Sequence, residues 1–414
     1  MRRWIAMLLC VVLVLGIMCL TSCDDLRGVF GPAGDFFAPT DDNKEPTAEE
    51  TNPPILETDP PEPTKPLPTL DEADAKAPAY LPDGTFGVPA NVKDYVLNQT
   101  TKTLTVPKNI LHLEEKVSAQ NKKLTEEATI LQYELDGDIV SWKKEGGYLY
   151  VLTKGNNRLL VINPADMSLV AYAPLMGAPA EINIIGEYIY VSLPTLYRID
   201  IFRKQDCAQG PSISLGREVS SFQILGNYIY YCEDDQHCYV YRKNLRTDEE
   251  IRCRRGSAYE PKILLNVEEN VLIIGESGSS RSMVYYVDMR TMEELWLFTP
   301  DNYNNTREML LVDGKIYWSS YCLSATADGG ILGRYGSNDI QMSMCGASEN
   351  WVVTREGLFI ADTYECVADF NATGFKYFHM LLDEENNTLF FAGNSRVAEV
   401  QNNVICVLRY ADGN

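Results

Sequence analysis

From residue 147 onward, short apolar runs stand between polar turns, and one such run recurs. Gly147-Tyr148-Leu149-Tyr150, Glu187-Tyr188-Ile189-Tyr190, Asn227-Tyr228-Ile229-Tyr230, Asn270-Val271-Leu272-Ile273, Gly314-Lys315-Ile316-Tyr317, Glu356-Gly357-Leu358-Phe359 and Asn387-Thr388-Leu389-Phe390 share one form. Each is a turn followed by a strand with an aliphatic centre. The centres fall at 149, 189, 229, 272, 316, 358 and 389, with intervals of 40, 40, 43, 44, 42 and 31. Six of the seven are followed by Tyr or Phe, although aromatics make up 10% of the chain.

A first strand precedes each turn, as in Ile182–Ile185 and Met309–Val312, and the Gly-Gly, Gly-Glu, Gly-Asn and Asp-Gly turns are hairpin chemistry. Third strands follow at 158–162, 196–200, 239–242 and 284–287, and a fourth closes the unit after turns such as Asn163–Asp166 and Arg246–Asp248. Four antiparallel strands per repeat predict an all-β fold, a β-propeller of seven four-stranded blades over 128–414. The second strands are continuously apolar, which fits sheets covered on both faces by neighbouring blades. The short last interval suggests that blade six lacks its outer strand after 364–370. In the irregular segment 93–127, the pattern suggests a hairpin of Asp94–Leu97 with Lys102–Val106. The stretch Ile130–Leu135 reads as a strand that docks on the last blade and closes the ring, because an open ring leaves two sticky edges. An eighth blade built from 93–135 is the alternative.

The Tyr-Ile-Tyr of 188–190 with Leu196-Tyr197-Arg198-Ile199-Asp200, and Asp313-Gly314-Lys315-Ile316-Tyr317-Trp318, carry a resemblance over about 130–410. They resemble bacterial surface propellers whose repeats are similar to the YWTD repeats of low-density-lipoprotein receptors. The full tetrad is absent, since Ser319-Ser320 follows Tyr317-Trp318. The resemblance implies a binding or scaffold role. Signatures of WD40, kelch and quinoprotein blades are missing.

The N-terminus changes where such a domain is expected. Arg2 and Arg3 precede an uncharged apolar run, and Leu20-Thr21-Ser22-Cys23 ends it. A basic region, an apolar region and a small-residue cut site make a secretory signal. The last four residues look like a lipobox, so 1–22 are expected to be removed and Cys23 to be lipidated. Two acyl chains anchor stably, which places the rest outside the cytoplasm, at the bacterial membrane. Residues 23–92 read as a disordered linker. Ten of the 21 prolines lie between Pro32 and Pro68, and residues 24–75 hold fourteen acids against three bases.

Composition trims the function classes. The net charge of −22 argues against a nucleic-acid partner. Three histidines leave little for a metal centre, and no calcium-loop, zinc or nucleophile-elbow motif occurs. Glu233–His237 reads as an acidic turn, 275–280 as a loop, and His379 as a core histidine. No catalytic residue, metal or cofactor is assigned. Eight cysteines (Cys207, Cys232, Cys238, Cys253, Cys322, Cys345, Cys366 and Cys406) sit in apolar, strand-like contexts and are read as buried thiols. If a disulfide forms, two of Cys232, Cys238 and Cys253 are its expected members.

In a propeller the second-to-third-strand loops and the blade junctions emerge on one face. On that rule the loops 275–282 and 319–330 and the junctions 255–261 and 299–306 frame a binding face, with Arg254, Arg255, Tyr259, Arg281, Tyr303 and Asp328 as candidates. The expected function is a monomeric, non-enzymatic binding or scaffold module for an envelope protein, peptide or glycan. A polysaccharide hydrolase or lyase with carboxylates at the channel mouth is one alternative. A passive part of an envelope assembly is the other.

Overall fold

The computed structural model describes residues 69–113, 122–233, 237–253, 258–276, 283–300, 308–336, 344–372, 375, 377–394 and 402–410. Cys23 and the proline-rich stretch to Pro68 lie outside the described residues. The described residues are mostly β: seven antiparallel blades in a ring. Blades one to six take 138–174, 182–214, 219–252, 262–298, 309–334 and 344–369, each with four strands. Blade seven takes the strands at 377–383, 388–394 and 404–409, then two from the N-terminal side, Thr125–Glu134 and Asn98–Pro107.

That fourth strand seals the ring, as the apolar pattern of 130–135 leads one to expect. Leu131 pairs with Val407 and Glu134 with Val404. Among the described residues there is no eighth blade. The expected hairpin of Asp94–Leu97 with Lys102–Val106 does not form; Lys102 pairs with Ile130 and Val106 with Glu126, in one long hairpin with the sealing strand. Alternation explains the choice, since Ile130 and Ala128 bury on one face of that strand while Glu127 and Thr129 stay exposed.

Blade six has all four strands, ending in Cys366–Asp369. Its second strand is Trp351–Thr354, and Leu358 belongs to the third, Gly357–Ile360. The second-strand centres therefore run 316, 352, 389. The turn before Gly357 imitates the repeat signature, while the true turn at 348–350 lacks glycine and its strand centre Val352 is followed by Val353 in place of an aromatic.

Second strands are buried nearly end to end, as at Tyr148–Lys154, Tyr228–Glu233 and Val271–Gly275. Aromatics of the second and third strands bind the blades to one another. Tyr230 donates its hydroxyl hydrogen to the Met289 carbonyl of blade four, and Tyr286 does the same to Ser324 of blade five. Burying a phenol with its hydroxyl bonded captures ring area without an orphaned polar group.

Residues 69–97 run as a strap over the rim of the ring. Leu70 N donates to Arg290 O of blade four. Asp71 caps a one-turn helix, α1 (Glu72–Ala75), and takes a further bond from its own N–H to the Tyr228 hydroxyl of blade three. Tyr80 N donates to Gly226 O, and the Tyr190 hydroxyl of blade two to Tyr80 O. Phe86 then stacks on Tyr188 with centroids 5.7 Å apart, Gly87 N donates to Gln209 O, and Tyr95 meets Tyr172 and Asp136 near blade one. The boundary expected at residue 92 thus falls inside a packed segment.

Candidate functional site: the two faces and the central channel

Strand direction assigns two faces. Turns between first and second, and third and fourth, strands emerge on one. Connections between second and third strands, and between blades, emerge on the other. The strap through Gly87 rests on turns of the first kind, at Gly226–Asn227, Asn244–Arg246 and Arg290. The second face is the junction face.

Of the candidate residues, Arg254, Arg255, Arg281 and Tyr303 lie outside the described residues. Tyr259 is on the junction face. It pairs with His237 in a two-stranded ribbon between blades three and four, and the rings meet edge to face at 5.1 Å. Its backbone N–H donates to Glu276 Oε1 at 3.2 Å, while Met283 N donates to Glu276 Oε2 at 3.2 Å. Glu276, buried at the end of a second strand, thus ties Tyr259 of the ribbon to Met283 at the start of the third strand. Asp328 is on the wrong face for the expected site. Ser319-Ser320 is a two-residue turn, the third strand of blade five follows at Tyr321–Ser324, and 325–330 is a third-to-fourth turn on the strap side. The expected loop 319–330 merged these two turns.

The innermost strands enclose a channel of about 520 Å³. Among its lining residues are Trp142, Lys143, Glu181, Gln223, Lys262, Glu308 and His379. Lys143 Nζ donates to Asn183 Oδ1 at 3.0 Å, and Asn183 Nδ2 in turn donates to the Phe222 carbonyl at 2.5 Å. Water reaches Lys143 along the channel, but the strands surround it. The loss of hydration lowers its pKa from the ordinary lysine value, against the opposing pull of Glu181. Glu181 Oε2 is buried without a hydrogen-bond donor, and Lys262 Nζ stands 3.8 Å away in an ion pair. His379 is a channel residue rather than a core one: it is half-buried and meets the Trp142 ring edge-on at 5.9 Å.

Sequence reasoning foresaw a channel mouth but assigned none of these lining residues to the site. The available signal was polar residues inside otherwise apolar first strands, Asn183 in Ile182–Ile185 and Lys143-Lys144 after Trp142. Charges near the channel's other end are tied into ring contacts, with Lys144 between Asp383 and Glu385 of blade seven and Lys204 on Glu145.

Cys232, Cys238 and Cys253 share one apolar cluster between blades three and four, and all eight propeller cysteines are thiols in this structure. Among the described residues, no group of three His, Cys, Asp or Glu side chains converges as metal ligands, and no helix is long and apolar enough to cross a membrane.

No protein-family model and no curated protein matches the sequence. Solved structures match in large number, 792 chains in all, so the likeness belongs to an architecture and not to one activity. A chain of the mitotic checkpoint complex is similar at TM-score 0.50 and 11% identity, over 68% of this chain and 91% of that one. The Cps50 (Swd1) β-propeller domain of Myceliophteria thermophila is similar at TM-score 0.49 and 10% identity, over 66% of this chain and 96% of that one. Kuenenia stuttgartiensis hydrazine synthase is similar at TM-score 0.49 and 12% identity, over 67% and 96%. At such identities these likenesses concern the fold alone, and the fold is a seven-bladed β-propeller.

Proposed function

We propose that this protein is a lipid-anchored, extracytoplasmic binding module that presents its junction face to a ligand of the cell envelope. The observation that carries the reading is the path of the strap. The chain enters the ring at Leu70 against the Arg290 turn of blade four, on the face opposite the Tyr259–Glu276 cluster. A chain anchored at Cys23 joins the ring on the strap face, which leaves the junction face free for a ligand. The −22 charge adds repulsion from an acidic surface.

Site-specific photo-crosslinking in intact cells tests this. A crosslinker at position 259 captures an envelope component, one at position 328 does not, and Cys23→Ser abolishes both palmitate labelling and capture. Equal capture at both positions, or capture indifferent to Cys23, sinks the reading. A scaffold embedded in an assembly differs by giving crosslinks around the outer strands.

One observation favours the second reading, an envelope hydrolase or lyase: Glu181 and Glu308 line the same channel. Glycoside hydrolysis requires two carboxyl groups about 5–9.5 Å apart across the bond. Turnover of an envelope polysaccharide that is abolished by Glu181→Gln and by Glu308→Gln establishes this reading; its absence leaves binding.

A further inference from the structure

We propose that the channel segment built by Lys143, Asn183, Glu181 and Lys262 is a binding site for a neutral, polyhydroxylated ligand of mono- or disaccharide size. The inference deepens the binding-module reading by naming a ligand class for the channel, and it rests on that reading only for biological context. Three observations converge.

The first is hydrogen-bonding capacity. An ammonium has three donors and no acceptor, and among the described residues Lys143 donates one hydrogen bond, to Asn183. Asn183 is itself anchored to the Phe222 carbonyl, so the amine is held in place rather than swinging free. Glu181 Oε2, in an ion pair with Lys262 at 3.8 Å, is a buried acceptor with no hydrogen-bond donor among the described residues. Leaving a buried carboxylate oxygen so is unfavourable. An unspent donor and an unspent acceptor in one cavity are satisfied together by a group that both donates and accepts, and a hydroxyl is that group.

The second is charge. Lys143 and Lys262 are balanced by Glu181 and Glu308, while Lys144, Lys204 and Glu145 are engaged between blades. Neither an anion nor a cation meets a net opposite charge, so the site selects for neutrality.

The third is shape. About 520 Å³ lies within the roughly 300–1,000 Å³ of small-molecule sites. Trp142 on the channel wall supplies the flat apolar surface against which the carbon face of a sugar ring packs.

Calorimetric titration of the full chain, in a detergent without a sugar headgroup, tests the assignment. The probes are N-acetylglucosamine, chitobiose, cellobiose, glucuronate and alanyl-alanine. The expected result is saturable binding of at least one of the three neutral sugars, in preference to glucuronate and alanyl-alanine. Lys143→Met and Glu181→Gln each weaken it at least tenfold with the unfolding temperature unchanged. Preference for glucuronate or alanyl-alanine overturns the proposal, as does the absence of saturable heat from every sugar. Sugar binding indifferent to both substitutions places the site elsewhere and also overturns it. The selectivity measurement needs no variant, so a misfolded substitution leaves the test standing. Failure here is distinct from failure of the binding-module reading, because a protein captured at position 259 is unaffected by sugar titration.

Discussion

Asn227 and Asp74, 153 positions apart in the chain, are joined by a 2.9 Å hydrogen bond from the Asn227 side-chain amide to the Asp74 carboxylate. Asn244 Nδ2 donates to the other carboxylate oxygen at 2.7 Å, and Arg246 pairs with the first at 2.9 Å. The Asn244 bond, then that of Asn227, holds the Asp74 pKa below the ordinary carboxylate value. Backbone contact completes the joint. Asn227 N donates to Asp74 O, and a Cβ on Gly226 (φ +56°) would meet that oxygen at 2.1 Å. Asp74→Ala and Gly226→Ala should therefore both free the strap while leaving the ring intact. Tryptic cleavage at Lys76 and Lys93 should speed up about tenfold or more, as for a locally opened segment, with far-ultraviolet circular dichroism unchanged.

The same carboxylate predicts a pH dependence. Its folded pKa is depressed, so its contribution is complete above the unfolded value near about 4 and disappears as pH falls through the lower folded value. Strap protection measured by hydrogen exchange should be flat from neutral pH down to about 4 and decline in stronger acid. A decline centred above pH 5 would assign the latch to another group.

Lys144 bridges the first and last blades, 2.6 Å from buried Asp383 and 2.7 Å from Glu385. Loss of hydration works against its charge, but the hydrogen bonds to Asp383 and then Glu385 prevail, and its pKa is raised. Lys144→Met leaves Asp383 with only its Asn386 contacts. About 3 kcal/mol of stability should go, the usual scale for breaking a buried ion pair, read as a lower urea midpoint. Because the folded pKa is raised, this contribution persists below about pH 10 and fades as pH climbs through the folded value.

The thiols should be inert in the native state. Burial raises Cys207 to about 12 and Cys366 and Cys406 to about 11, leaving almost no thiolate at neutral pH. In Cys232 burial also opposes the thiolate, but hydrogen bonds, that of Cys238 first, lower its pKa overall. Iodoacetamide at pH 8 should leave the eight propeller cysteines unmodified in the native protein and alkylate all eight in guanidinium. Cys232 should be the first to react as denaturant rises. Rapid native labelling at any buried position would contradict the packing described.

Ile130, fully buried in the sealing strand, packs in the core cluster of blades six and seven. Ile130→Ala should cost about 3 kcal/mol and promote concentration-dependent association through the exposed edge of blade seven. An unchanged urea midpoint would show that the seal adds nothing to the ring.

The fold was legible because blades must be apolar where they stack. Tyr150, Tyr190 and Tyr230 recur in register because each fills the same inter-blade position. The register failed only at blade six, where Glu356-Gly357-Leu358-Phe359 copies the signature one strand late. The strap was illegible for a different reason. It holds on through scattered single residues, Asp74, Tyr80, Phe86 and Tyr95, within a composition otherwise suited to disorder. Polar latches of this kind leave no periodicity to find. The channel escaped because its charges come from the first strands of blades one and four and from two junctions, brought together only by closure.

The seal also has a consequence in time. Gln132 and Cys406 pair across 274 positions of sequence, so the sealing strand is synthesised long before its partner and waits for it. A chain interrupted before Arg409 holds a row of finished blades with two raw ends, prone to clinging to other molecules. Only a chain translated through Arg409 can shut the ring, and the slow search for so distant a mate makes closure a late step in folding.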